Sequence, residues 1–318
     1  MLLGIEKKKT DIKIFMDNTF FIIDGHALTY RSFFAFKDNP RINSKGFNTS
    51  AIYGFINILY NVIAKEKPTH ICVVFDTKEP SWRKKIFTEY KANRPKQPQE
   101  ITDSLPHIKD ILDALNIRRI EIPGYEADDV IGSICSNICS AKINTYIMTP
   151  DKDYDQLVND NVFIYKPQRH SFGYEIITTS KVKNKWGINT PKQVIEMLAL
   201  IGDSSDNIPG IPGVGEKTAS KLLLQYNSID NIYKNIDSLP EKLKRTFLDN
   251  KEQALLCINL ATINCNIDVN MKLDDFKIQR FNIPKLEEIL RTIEIKTLLT
   301  KFTNMNIKTE TQDLTFEL

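Results

Sequence analysis

The 318-residue chain is informative first for what it leaves out. No run approaches the roughly 18 apolar residues that a membrane-spanning helix needs. The opening MLLGIEKKKTDIKIF is broken by charge after five residues, so it is not a secretory signal. There is no CxxC pair. The five cysteines (Cys72, Cys135, Cys139, Cys257, Cys265) are odd in number with apolar neighbours, which reads as buried free thiols in a reducing compartment. A cytoplasmic protein is expected. Strong charge of either sign is also missing: 43 basic against 40 acidic residues leave +3, so only local distribution can speak for or against nucleic acid. No internal repeat or low-complexity tract is present. Nor is there a P-loop, because GIPGVGEKTA (210–219) sets Glu216 between Gly215 and Lys217 and G-K-[ST] fails.

What is present is an ordinary globular composition, 42% apolar and 26% charged, enough for one large domain or two modest ones. Four apolar runs read as buried strands: TFFIID (19–24), HICVVFD (70–76), NTYIMTPD (144–151) and NVFIYKP (161–167). TSAIYGFINILYNVIAK (49–65) and LPHIKDILDALN (105–116) repeat apolar residues at i, i+3, i+4 and i+7, as amphipathic helices do. Strands alternating with such helices predict an α/β fold with a mainly parallel sheet.

In sheets of this kind ligands bind beyond the carboxyl ends of the strands. Three of the runs deliver an aspartate there: Asp24, Asp76 and Asp151. From about residue 187 to 302 the pattern becomes a series of helices, the last expected near 284–302. Residues 1–16 read as an extension, 17–186 as the core, and 303–318 as a frayed tail or linker.

The stretch GYEADDV places Glu126, Asp128 and Asp129 within four positions. On a helix Glu126 and Asp129 would share a face, with Asp128 flanking. TPDKDYDQL adds Asp153 to Asp151, and LIGDSSDN sets Asp203 and Asp206 three apart. Nine carboxylates with no histidine or cysteine among them are hard oxygen ligands, suited to Mg2+ or Mn2+ and not to zinc. Uncompensated, they would repel one another; divalent ions remove that cost.

The segment 78–98, KEPSWRKKIFTEYKANRPKQP, carries seven basic residues with Trp82, Phe87 and Tyr90 between them. Such a segment can hold phosphates and stack bases, or it is a solvated helix. In GIPGVGEKTA, Gly213 and Gly215 would let backbone N–H groups approach a phosphate at the start of the next helix, beside Lys217 and Thr218, or merely make a tight turn.

DGHALTYRSFFA, VVFD, YKANRP, PGYEADDVIG, TPDKDYDQL and GDSSDNIPGIPGVGEKTA together resemble, in this order, the 5′ nuclease domain of bacterial DNA polymerase I, of the flap endonuclease superfamily. The resemblance runs from about Phe20 to Phe302. It implies a PIN-like core, a helical arch (about 78–104) over the active site, and a helix–three-turn–helix subdomain that binds duplex DNA. It implies that Asp24, Asp76, Glu126, Asp128, Asp129, Asp151, Asp153, Asp203 and Asp206 form the metal site for two Mg2+ ions. By the same match Lys91 and Arg94 act on the scissile phosphate. The expected DNA-binding set is Arg31, Arg83, Tyr90, Gly213, Gly215, Lys217 and Thr218. A monovalent cation, K+, is implied at the carbonyls of Gly210, Ile211 and Val214. The implied partners are flapped and nicked DNA, RNA primers on DNA and a DNA polymerase domain or chain, with the nuclease itself a monomer. Two rivals follow from the same residues: a non-catalytic module for branched DNA, and a PIN-type ribonuclease, which would lack the GIPGVGEKTA region.

Overall fold

The computed structural model describes residues 18–139, 143–168 and 173–313. Six strands, β1 (Thr19–Asp24), β2 (His70–Val74), β3 (Arg118–Ile120), β4 (Asn144–Met148), β5 (Val162–Pro167) and β6 (Tyr174–Ile177), form one sheet in the order β3-β2-β1-β4-β5-β6. All neighbours are parallel except β5 and β6. The central strands are mainly apolar because both faces are covered. Alternate residues divide between them: Phe20, Ile22, Cys72 and Val74 enter one core, Phe21, Ile23, Ile71 and Val73 the other.

Helices α1 (Gly25–Phe34), α2 (Ser50–Glu66) and α4 (Gln99–Ala114) cover the second face, together with α12 (Ile283–Thr292) and α13 (Lys296–Asp313). Against the first face lie α5 (Ala127–Asn137) and α6 (Thr179–Trp186). That core continues without a break into the helical half, formed by α7 (Val194–Ile201), α8 (Glu216–Tyr226), α9 (Ile229–Lys234), α10 (Glu241–Asp249) and α11 (Lys251–Ala261). Between α7 and α8 the chain folds back tightly: a Cβ on Gly210 would lie 2.4 Å from the Gly202 nitrogen, so only glycine fits there.

Several expectations are revised. β3 and β6 were not anticipated. The stretch 240–262 is two helices parted at Asn250, and 283–302 is two helices parted at Ile293–Ile295, where Glu294 takes φ +66°. Residues 303–313, expected to fray, continue α13, which Leu298 and Phe302 anchor in the core. Little helix builds the expected arch: α3 (Trp82–Ile86) is five residues long, and turns lead from it to Pro98. The reason is local. Tyr90 is buried and Phe87 packs on the core, so the segment is pulled inward, and Pro95 and Pro98 interrupt any continuation. The proposed extension lies outside the described residues, apart from the boundary near Met16.

Candidate active site

The strand ends deliver their acids to one cavity of about 470 Å3 at the carboxyl edge of the sheet, lined by Asp24, Asp76, Glu126, Asp128 and Asp151, with Lys91 and Arg94 on its rim. Each strand-end acid is held by a backbone N–H of an element that follows it in the chain. Asp24 caps α1, its Oδ1 accepting the Ala27 N–H at 2.9 Å, while Oδ2 accepts from the Tyr154 hydroxyl at 3.2 Å and the Thr149 hydroxyl at 3.3 Å. Asp76 Oδ1 accepts the Ala127 N–H at 2.8 Å, at the first turn of α5. Its own N–H donates to His26 Nδ1 at 3.1 Å; burial pushes the His26 pKa down, so this ring is a neutral acceptor. Asp151 follows β4 and accepts the Asp153 N–H at 3.0 Å.

Burial, then the charges of Asp76 and Asp151, push the Asp24 carboxyl up to about 7. Burial likewise raises Asp128, Asp151 and Asp153, the last further by Asp151. These carboxyls ionise reluctantly without added positive charge.

A second group lies past Asp151. Asp203 Oδ1 accepts from the Ser205 N–H at 2.9 Å, and Lys152 Nζ is 2.9 Å from Oδ2. Asp206 accepts from the Tyr90 hydroxyl at 3.0 Å and pairs with Arg94. Burial would raise it, but Lys91 and Arg94 outweigh that and hold it below the usual carboxylate range. The segment carrying these cations is docked on the same turn: Lys91 N–H donates to the Asp206 carbonyl at 3.0 Å and Asn207 Nδ2 to the Glu89 carbonyl at 2.7 Å. Lys91 holds the left-handed φ of +55° there, a conformation disfavoured for a side-chain-bearing residue.

Three of the sequence-predicted site residues belong elsewhere. Asp129 is 0% exposed and its carboxylate is taken by Arg83, Trp82 Nε1 (2.8 Å) and the Asn264 N–H (2.8 Å), so it is a buried counter-ion and not a free ligand. Arg83 is 1% exposed, and cannot meet DNA from that position. Tyr90 is 3% exposed, its hydroxyl bridging Glu126 and Asp206, so it cannot stack a base. Sequence shows charge and ring but not which way a five-residue helix turns them. Arg31 remains at the surface on the Gln168 carbonyl. Lys217 and Thr218 border a groove of about 400 Å3 along α8. Gly213 and Gly215 both face open space. The carbonyls of Gly210 and Ile211 accept from Gln253 and the Val214 N–H. Sequence reasoning missed His26, Thr149, Tyr154 and Lys152, although each lies beside an acid already singled out.

Among the described residues no three carboxylate, imidazole or thiolate groups are gathered closely enough to enclose one ion. The donor chemistry nevertheless fits a hard divalent cation: the cavity's acids are all oxygen donors, several with raised pKa, and hydrated Mg2+ needs only one or two carboxylates.

The fold is that of the flap endonucleases. The bacteriophage T5 D15 flap endonuclease superposes with a TM-score of 0.65 at 18% identity, over 87% of this chain and 100% of that one. The catalytic core of Rad2 gives 0.59 at 14% identity, over 86% and 87%. Residues 19–187 match the 5'-3' exonuclease N-terminal resolvase-like domain and 189–284 the 5'-3' exonuclease C-terminal SAM fold. The 5'-3' exonuclease of Aquifex aeolicus is 40% identical over 88% of this chain and 94% of its own length. DNA polymerase I of Bacillus subtilis is 39% identical over 93% of this chain, which spans only 33% of that protein. The chain belongs to the 5'-3' exonuclease family.

Proposed function

We propose that this chain is a divalent-metal-dependent nuclease that cuts 5′ ends and 5′ flaps of branched or nicked duplex DNA, as in removal of RNA primers and repair flaps. One observation carries the reading: an all-oxygen acid cavity with raised carboxyl pKa values, rimmed by two cations on a docked segment. The T5 D15 protein was solved with DNA and metal ions and the Rad2 core with a DNA substrate, which supports it.

Asp24, Asp76, Glu126, Asp128 and Asp151 would hold Mg2+ or Mn2+, with Asp153, Asp203 and Asp206 shaping the field beyond them. Bound, such ions activate water and offset the charge that develops on the phosphate. The chain's own part is to orient and compensate. Tyr154, Thr149 and the Ala27 N–H fix Asp24, and the Ala127 N–H fixes Asp76. Lys91 and Arg94 exchange their carboxylate partners for the scissile phosphate. Gly213, Gly215, Lys217 and Thr218 at the head of α8 take a duplex phosphate. Each carbonyl has a second lone pair, so those of Gly210, Ile211 and Val214 can still serve a K+ ion. Arg31 guides the DNA backbone. The protein works as a cytoplasmic monomer, with a DNA polymerase domain or chain as its second partner. No helix among the described residues is long and apolar enough to cross a membrane.

The test is magnesium-dependent cleavage of a 5′-flap duplex beside a matched RNA substrate. Cutting of the flap with release of short fragments is expected. Tight flap binding without cutting would establish the non-catalytic module instead, and preference for the RNA the ribonuclease.

A further inference from the structure

Arg83 stands in the basic segment that the sequence assigns to DNA, yet it is among the most deeply buried residues of the molecule. Its five N–H donors all have acceptors. Nη1 reaches Glu126 at 3.0 Å and Asp129 at 2.9 Å; Nη2 reaches Asp129 at 2.7 Å. The other two go to the end of α11: Nε to the Leu260 carbonyl at 2.9 Å and Nη2 to the Thr262 carbonyl at 2.8 Å. Asp128 lies 3.6 Å away. One guanidinium thus joins three parts of the molecule: the base of the cationic segment, the acid-bearing first turn of α5, and the C-terminus of α11.

Neighbouring bonds extend the seam. Trp82 Nε1 donates to Asp129 at 2.8 Å, and its ring lies 4.6 Å from the Arg83 guanidinium carbon. Past α11, the Asn264 N–H reaches Asp129 at 2.8 Å and the Ile267 N–H reaches the Ser133 hydroxyl at 3.0 Å. α11 packs against α7, whose end leads into the Gly202–Gly215 region. To touch DNA, Arg83 would have to leave Asp129 buried without its cation, which is strongly unfavourable.

We propose that Arg83 is a positioning residue that fixes Glu126 and Asp128 of the cavity to the helical half, so that duplex held on the helical half reaches the acids through it. The proposal rests on the nuclease reading for its DNA arm but not for its metal arm.

Arg83→Lys tests it, because the charge is kept while one ammonium cannot span the fork of acceptors. A change in metal affinity then reports geometry and not net charge. Mn2+ titration of the DNA-free protein, followed by electron paramagnetic resonance, should show binding weakened about 10- to 100-fold, as when groups that orient metal ligands are lost. Flap affinity in EDTA should stay as in the native protein, and the rise in single-turnover rate on lengthening the duplex behind the flap should disappear. Native Mn2+ affinity together with an intact duplex-length effect would overturn the proposal. So would a loss of flap affinity with cleavage at saturating enzyme unchanged, which marks a direct DNA contact. Should Arg83→Lys fail to fold, Trp82→Phe decides: it keeps an aromatic ring beside the guanidinium, on a smaller side chain, and removes the bond to Asp129. A smaller shift in the same direction supports the proposal, and native values throughout refute it. If the native protein cuts no flap at all, the nuclease reading falls while the Mn2+ titration still judges Arg83.

Discussion

Lys91 Nζ sits 3.0 Å from Glu126 Oε1 and 3.6 Å from Asp206 Oδ2, so the cation expected to meet the phosphate is already spent on two acids. Those acids hold it charged, outweighing its burial. Lys91→Ala should therefore act twice. Loss of a charge-stabilising donor should slow cleavage about 10²- to 10³-fold at saturating enzyme. Freed of the cation, Glu126 and Asp206 should bind divalent ions more tightly. Single-turnover rates across a Mg2+ series check both; a rise in the flap dissociation constant alone would make Lys91 a binding residue only.

Asp151 and Asp129 fall into different classes although both stand in acidic clusters. Asp151→Asn removes one of several repelling charges from the cavity, so cleavage should fall by orders of magnitude while the melting temperature holds or rises. Asp129→Asn breaks a buried pair with Arg83 and should cost about 3–5 kcal/mol of stability. Thermal melts of the two variants side by side decide; a native melt for Asp129→Asn would remove the buried clamp.

Adjacent letters of the sequence could not make that distinction. Asp24, Asp76 and Asp151 were legible because an acid closing a buried strand has no packing role, and continuous apolar runs mark strands covered on both faces. β3 was not legible: it is three residues with only Ile120 buried. Within the basic segment, Arg83 and Lys91 carry the same charge, and only their partners tell them apart. Those partners, Leu260 and Thr262 above all, lie about 180 residues away in the chain, at separations of 177 and 179.

Asp24 gives a pH signature. Its folded pKa of about 7 exceeds its ordinary 3.8, so the folded state holds this proton more firmly. The resulting stability is full below about pH 4 and is lost as pH rises through 7. In metal-free buffer the stability advantage of Asp24→Asn over the native protein should grow from pH 5 to pH 8, by the order of a few kcal/mol. Divalent cations should shrink it. An advantage independent of pH would contradict the raised carboxyl.

Gly213 and Gly215 differ in what a side chain would meet. Gly213 takes φ +76°, so alanine there is strained and should cost about 1–2 kcal/mol, whatever it binds. Gly215 has φ −94° and open space where a Cβ would go. Gly215→Val should fold, giving up about 1 kcal/mol for valine at the N-cap of α8, yet bind flapped and nicked duplex more weakly, and excess enzyme should restore much of the cleavage. Native duplex affinity in the folded variant would show that this turn is not the clamp.

The two parts matched by the family meet near residue 188, but the molecule has no seam there. One apolar core runs from Phe20 and Ile22 of the sheet through Val182, Trp186 and Leu198 to Phe247 and Phe276. Severed at that point, neither piece would retain a closed interior, and each would expose a large apolar surface. Heat or denaturant should therefore disrupt both halves together, with no state in which the helical half outlives the cavity. On the nuclease reading, a chain damaged in either half would lose its fold as a whole, and so could not persist as an inert blocker on flaps.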